Sequence, residues 1–268
     1  MDTVQLALVL GAGVLAGTVN TVVGAGTLLT FPLLVALGVP PLTANVSNTV
    51  GLVPGSVTGA WGFRRELSGT WHAVGRMAVL SAIGGLTGAL LLLAAPAETF
   101  GAVVPWLLVV AAGLAAAQPR VAAWVRRRAA DPPLAAAGVP GSTHHDRSMR
   151  PLGPGLAVGI AVTGVYGGYF GAAQGVLLIS LLAIGWTTHL NRANGAKNVL
   201  AGTANLVSAA IFIASGSVDW QVAGLIAVGS AVGGVLGARV GRRIPAPALR
   251  ALIVVVALTA AAALWWNG

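Results

Sequence analysis

Apolar and polar positions along the 268-residue chain fall into long blocks with no strand-like alternation. Ten apolar stretches can be marked. Five lie in the first half, at 4–23, 27–38, 43–63, 73–95 and 99–118, and five in the second, at 152–172, 175–186, 194–215, 220–241 and 247–266. A helix needs about 20 apolar residues to cross the roughly 30 Å hydrocarbon core of a bilayer. Two stretches, 27–38 and 175–186, are too short. Each follows a glycine-rich break, marked by Gly24 and Gly26 in the first half and by Gly171 and Gly175 in the second. Broken backbone at membrane depth is tolerated where it is buried in protein or lines a cavity. The pattern therefore predicts an all-α polytopic membrane protein of two halves, each with about five helical elements including a short, broken helix pair.

Composition narrows this further. The chain is 56% hydrophobic and only 8% charged, with mean hydropathy +0.87, whereas soluble domains carry about 25% charged residues. It has no cysteine, which excludes disulfides and thiolate metal sites. The formal charge of +9 sits mainly in a few loops between apolar runs, as cytoplasmic loops require, so a nucleic-acid partner is not expected. Residues 119–151 are rich in Arg, Pro and small side chains and are expected to form a cytoplasmic linker between a first transmembrane repeat (1–118) and a second (152–268). His144, His145 and Asp146 belong to that linker and are expected to be a polar loop and not a metal site. Residues 1–23 lack a basic start and are expected to stay as the first helix.

The halves repeat. Positions 149 apart pair Gly26 with Gly175, Trp71 with Trp220, Gly84 and Gly85 with Gly233 and Gly234, and Pro96 with Pro245. Inserting one residue also aligns Asn48 with Asn198. Loop 64–72 holds Arg64 and Arg65, while its counterpart 215–219 holds only Asp219; the loop at Pro96 holds Glu98, while that at Pro245 is surrounded by Arg239, Arg242, Arg243 and Arg250. Equivalent loops thus carry opposite charge. Positive loops stay inside, so the repeat is expected to be inverted, as in many secondary transporters. Both termini then lie outside and the linker inside a plasma membrane. Trp61, Trp71, Trp186, Trp220, Trp265 and Trp266 are expected at the interfaces, and the Gly84–Gly88 and Gly233–Gly237 runs at close helix packing.

Candidate chemistry gathers around Lys197, the only lysine in the chain, with Arg192, Asn194 and Asn198 beside it. Asn20, Asn48 and Gln174 stand next to the two breaks. A cation near a helix N-terminus opposes the helix dipole, but with a bound anion the ammonium, the amides and the N-termini of the short helices would act together. These seven side chains are the expected substrate-binding residues. His189 is expected to end a loop. The six acidic residues lie in loops or near segment ends, so proton-relay and divalent-cation sites are not expected. No catalytic set, metal or cofactor is implied, and the chain is not expected to be an enzyme.

The sequence from Gly13 to Leu67 carries the pattern GxxAGxxNxxVGxGTLLTFPLL followed by LGxPPxxAxxSNxVGLxPGSxxGAxxxRREL. It resembles the sulfite exporter TauE/SafE family. The second half, with GYFGAAQGVLLISLLAIG and NRANGAKN, is similar to that family's weaker second copy. Gly24, Gly26, Pro32, Asn45, Asn48 and Pro54 fall on the family's first motif, although the break reads GAG where a fuller glycine run is common. The resemblance implies a membrane permease for small sulfur-containing anions such as sulfite or organosulfonates, running by alternating access around a central anion site. An anion-selective channel shares that chemistry and is the second reading; a membrane-embedded enzyme is the third. The partners expected are a small anion and the bilayer, with assembly into a homo-oligomer left open.

Overall fold

The computed structural model describes residues 1–130, 150–240 and 246–267, and these are helical almost throughout. Ten helices occur among the described residues. They are α1 (Thr3–Val22), α2 (Thr27–Ala36), α3 (Pro41–Gly62), α4 (Trp71–Ala94), α5 (Ala97–Ala130), α6 (Pro154–Tyr169), α7 (Gln174–Gly185), α8 (Leu190–Ala214), α9 (Trp220–Val240) and α10 (Ala246–Asn267). Each corresponds to one apolar stretch of the sequence. Five are long and apolar enough to cross a bilayer, namely α1, α4, α8, residues 97–120 of α5 and residues 220–239 of α9. The chain is an all-α polytopic membrane protein. His144, His145 and Asp146 lie outside the described residues.

Local chemistry sets the ends. Asp2 and Gln5 form a capping box at α1, with the Gln5 N–H donating to the Asp2 carboxylate (2.7 Å) and the Asp2 N–H to the Gln5 side chain (3.0 Å). Pro41 and Pro154 open α3 and α6, positions where the missing N–H costs nothing. Helix α8 starts at Leu190, four residues before its apolar run, because Arg192 and Asn194 find backbone partners elsewhere (Glu66 O, 3.3 Å; Thr21 O, 3.2 Å). Helix α5 runs on to Ala130, past the predicted end at 118, with Pro119 inside it. At 10 and 12 residues, α2 and α7 span about 15 and 18 Å. Neither crosses the core alone.

The helices of the two halves interleave. Helix α1 packs on α9 and α4 on α6; α3 packs on α9 and α4 on α8; α3 meets α8, and α5 meets α10. Exchanging positions 149 apart swaps α1·α9 with α4·α6 and α3·α9 with α4·α8, and turns α3·α8 and α5·α10 into themselves. Equivalent helices run antiparallel where they touch. Gly195 near the start of α8 lies against Phe63 and Leu67 just after α3, and Gly202 against Ser56 a few residues back along it. Early in α5, Trp106 packs edge-on with Trp265 at the far end of α10 (5.0 Å), while Gln118, later in α5, accepts from Arg250 near the start of α10 (2.9 Å).

The expected glycine packing is present. A Cβ at Gly84 would come within 2.8 Å of the Gly164 Cα, and one at Gly233 within 2.8 Å of the Thr18 nitrogen, so α4·α6 and α1·α9 are backbone-to-backbone contacts. The tryptophans divide. Trp61, Trp71, Trp220, Trp265 and Trp266 are exposed, but Trp186 is 2% exposed and packs in a cluster with Leu156, Leu178 and Leu182. The interface assignment for Trp186 is therefore corrected: it sits in the core beneath α6 and α7, and its carbonyl accepts the Arg150 N–H (2.8 Å).

A second mirrored feature joins α9 to α3. The Ser230 hydroxyl accepts the Gly55 N–H (3.2 Å) and donates to the Gly51 carbonyl (2.7 Å), bridging one turn of α3 beside Pro54. Its counterpart 149 residues earlier, Ser81, donates to the Leu200 carbonyl of α8 (2.8 Å). Ser230→Ala strips a partner from two buried backbone groups and Ser81→Ala from one. Interhelical hydrogen bonds in membranes average about 0.6 kcal/mol. Ser230→Ala is thus expected to cost about 1–2 kcal/mol and Ser81→Ala about half as much, measured by reversible unfolding in mixed micelles.

Candidate functional site

The site is built where the two glycine breaks meet. Helix α1 closes on Gly24, whose φ of 85° lies in the left-handed region, with the Gly24 N–H returning to the Val19 carbonyl (3.0 Å). The equivalent position in the second half is Ala173, also left-handed at φ 59° and fully buried. Holding an alanine there costs about 1–2 kcal/mol. The breaks are bonded to each other, since the Gly175 N–H donates to the Gly24 carbonyl (3.0 Å). Their backbones approach so closely that a Cβ on either glycine would overlap the other.

Lys197 lies on α8 and is 1% exposed. Its ammonium donates to the carbonyls of Asn20 (2.9 Å) and Thr21 (2.9 Å) in the last turn of α1. The dipole argument from sequence therefore changes. Lys197 is seven residues into its own helix, and its charge faces the C-terminal end of another, where a cation is favoured. Two of its three N–H donors are used. Asn194 and Asn198 point their amides at the same Thr21 carbonyl (3.2 and 3.4 Å). That oxygen has two lone pairs and faces three donors. The centre is donor-rich.

The amides of the first half behave differently. Asn45, 149 residues before Asn194, donates to the Tyr169 carbonyl at the end of α6 (3.0 Å), mirroring the bond from Asn194 to α1. Asn48 instead ties α3 to α2, donating to the Thr27 hydroxyl (3.3 Å) and accepting from the Thr30 hydroxyl. Asn48 and Asn198 are therefore not equivalent in their bonding. The uninserted offset matches Asn45 with Asn194 and Asn48 with Lys197. Sequence reasoning left Asn45 and Thr21 out of the expected site residues. Applied without the insertion, the same spacing picks out Asn45 and Ser230; Thr21 acts through its backbone, for which no side-chain signal exists.

Buried side-chain atoms without a hydrogen-bond partner among the described residues include Asn45 Oδ1, Asn194 Oδ1, Gln174 Nε2 and Arg192 Nη1. Buried polar atoms are otherwise almost always paired. Gln174 opens α7 and lies over Gly167, where a Cβ would collide with its amide. Asn20 is half-buried and contributes its carbonyl; Gly26 backs onto the Ala16 carbonyl and the Asn20 side chain. Gly171 turns the chain between α6 and α7 with φ 73°. Arg192 lies apart from Lys197, reaching the Glu66 carbonyl in the loop after α3, and His189 is exposed at the start of α8. The first N–H groups of α7 are already taken, Gln174 by Gly171 O (3.2 Å), Gly175 by Gly24 O, and Val176 by Ala173 O (3.0 Å). Free N–H capacity at the centre therefore comes from Lys197, Asn194 and Asn198, with the Gln174 amide over Gly167 beside the second break, and little of it from the start of α7.

Among the described residues, ten helices enclose a buried polar centre, and the glycine breaks beside the two half-length helices touch each other, the build of a multi-pass membrane protein. The chain belongs to the sulfite exporter TauE/SafE family, whose sequence profile matches residues 9–264. It is similar to the "Probable membrane transporter protein YfcA" of Escherichia coli (strain K12), 26% identical over 94% of this chain and 87% of that one. Similar relatives are the "Probable membrane transporter protein ORF9" of a Sinorhizobium species (24%, over 96% and 90%) and a "Probable membrane transporter protein" of Haemophilus influenzae (23%, over 94% and 91%). No solved structure matches the chain. It is a membrane transporter of this family.

Proposed function

We propose that the protein is a secondary transporter that exports a small sulfur-containing anion, sulfite or an organosulfonate, by alternating access around Lys197. The observation that carries this reading is the surplus of donors at Thr21 O. Three N–H groups, one of them cationic, converge on a single carbonyl, and an anion supplies the acceptor that is missing. The Gln174 amide, buried without a partner, adds a fourth donor beside the second break. Antiparallel packing of α3 on α8 and of α5 on α10 supports an inverted repeat. With the loop charges, it supports both termini outside, residues 119–151 in the cytoplasm, and repeats at 1–118 and 152–268. Rocking of one bundle against the other would carry the site between the two faces.

Export of an anion needs no coupling ion when the inside is negative, since the potential supplies about 2.3 kcal/mol per charge per 100 mV. That is about a fifty-fold gradient at 100 mV. Proteoliposomes loaded with labelled sulfite, sulfoacetate or sulfolactate are expected to show saturable efflux that an inside-negative valinomycin potential accelerates. Counterflow is expected without large unitary currents. Failure of every anion to move, or large unitary currents, would overturn the carrier reading.

A further inference from the structure

Beside the centre, with which it shares Asn198, a cleft of about 840 Å³ opens between α3 and α8 and ends at the loop that leads to Trp71. We propose that it is a binding site for an anionic glycerophospholipid, one acyl chain lying along α8 and the phosphate held by Arg64 and Arg65. The floor runs from Asn198 to Leu206, about 12 Å of helix. Along it, hydroxyls offer little to a solute. Ser56 donates to the Leu52 carbonyl of its own helix (3.2 Å) and Thr203 to the Val199 carbonyl of its own (2.9 Å). Past the Asn198 amide at its inner end, a small oxyanion would find no free side-chain donor along this floor, whereas a hydrocarbon chain needs none. The walls agree. Val57 and Leu206 are 59% and 56% exposed, and Leu206 lies within α8, a helix long and apolar enough to cross a bilayer, so an opening sideways onto lipid fits the cleft.

The mouth has the opposite character. Arg64 and Arg65 are both exposed there. Arg64 is braced, donating to the Trp61 carbonyl (3.0 Å) with its guanidinium 4.5 Å from that indole's centroid. The Arg65 guanidinium makes no hydrogen bond among the described residues, and Glu66 of the same loop does not line the cleft. Exposed Trp61 and Trp71 flank the pair, as interfacial aromatics flank a headgroup. Two guanidiniums at the end of an apolar slot, with indoles at headgroup height, match a phosphate on an acyl chain and not a free ion. The proposal is independent of which solute is carried at Lys197.

The test is native mass spectrometry of the purified full chain with added dioleoylphosphatidylglycerol or dioleoylphosphatidylcholine. Phosphatidylglycerol is expected to be retained about tenfold or more in preference, each arginine contributing about a fivefold attraction. The preference is expected to vanish in Arg64→Gln/Arg65→Gln. In Thr203→Phe, which keeps both arginines and fills the floor, retention of either lipid is expected to fall. Equal retention of the two lipids, a preference surviving the double variant, or displacement of phosphatidylglycerol by glycerol phosphate or sulfite would overturn it. Because the readout is retained lipid, transport can fail with the lipid still bound, or the reverse.

Discussion

Lys197→Met is expected to lower anion efflux per folded molecule by about 10- to 100-fold while leaving the protein folded. The transport loss follows from removing a charge-assisted hydrogen bond, worth about 1.5–3 kcal/mol, from the proposed anion site. The stability loss is separate and smaller. Without the ammonium, the Asn20 carbonyl loses its cross-helix donor, but Thr21 keeps Asn194 and Asn198. One buried carbonyl without that donor costs about 1–3 kcal/mol, partly offset because a desolvated charge is also removed. A domain stable by about 5–15 kcal/mol survives that. Lys197→Arg, which keeps the charge, is expected to retain the cap more fully than the flux. Thermal unfolding in detergent reads the cap, and proteoliposome flux normalised to folded protein reads the site. Unchanged normalised flux in Lys197→Met would reduce Lys197 to a cap on α1.

Gly175→Ala is expected to be the more damaging change, although it adds one methyl group. Its φ is ordinary, and alanine at a helix start is favourable by about 1 kcal/mol. The new Cβ would nevertheless overlap the Gly24 backbone and force apart the bond from Gly175 N–H to Gly24 O. Overpacking against backbone costs about 1–3 kcal/mol, occasionally more, and here it moves both breaks, so folded yield and flux are both expected to collapse. Gly38→Ala is the control. Gly38 has a φ of 85° like Gly24 but open space around it, so it carries the conformational strain alone and is expected to lose about 1 kcal/mol with transport retained. Equal behaviour of the two variants would mean that contact between the breaks is unimportant.

Much of the helical plan is legible without coordinates, because lipid leaves so few options. Apolar block length fixes which segments can cross, and α2 and α7 stand out because they are too short. The Trp71–Trp220 and Pro96–Pro245 pairs give a spacing of 149, at which the ranges of α1 to α5 fall close to those of α6 to α10. At that spacing Asn45 falls on Asn194, but its bond to Tyr169 O runs to a backbone group 124 positions away and leaves no trace in the sequence. Trp186 was misplaced because a tryptophan at a segment end looks the same whether it meets headgroups or the core.

The sequence by itself determined that the chain is a bundle of membrane helices, broken at Gly24 and near Gly175, with one lysine among amides and its six acidic residues in loops or near segment ends. These are one-dimensional properties: hydropathy, block length, charge and glycine placement. Only the tertiary structure decided what Lys197 faces, since the carbonyls of Asn20 and Thr21 lie about 176 positions away in the chain. The same holds for the contact of Gly24 with Gly175 and for the cleft below Arg64. Each depends on how one half is threaded through the other, and backbone groups that bond across such distances leave no mark on the order of the residues.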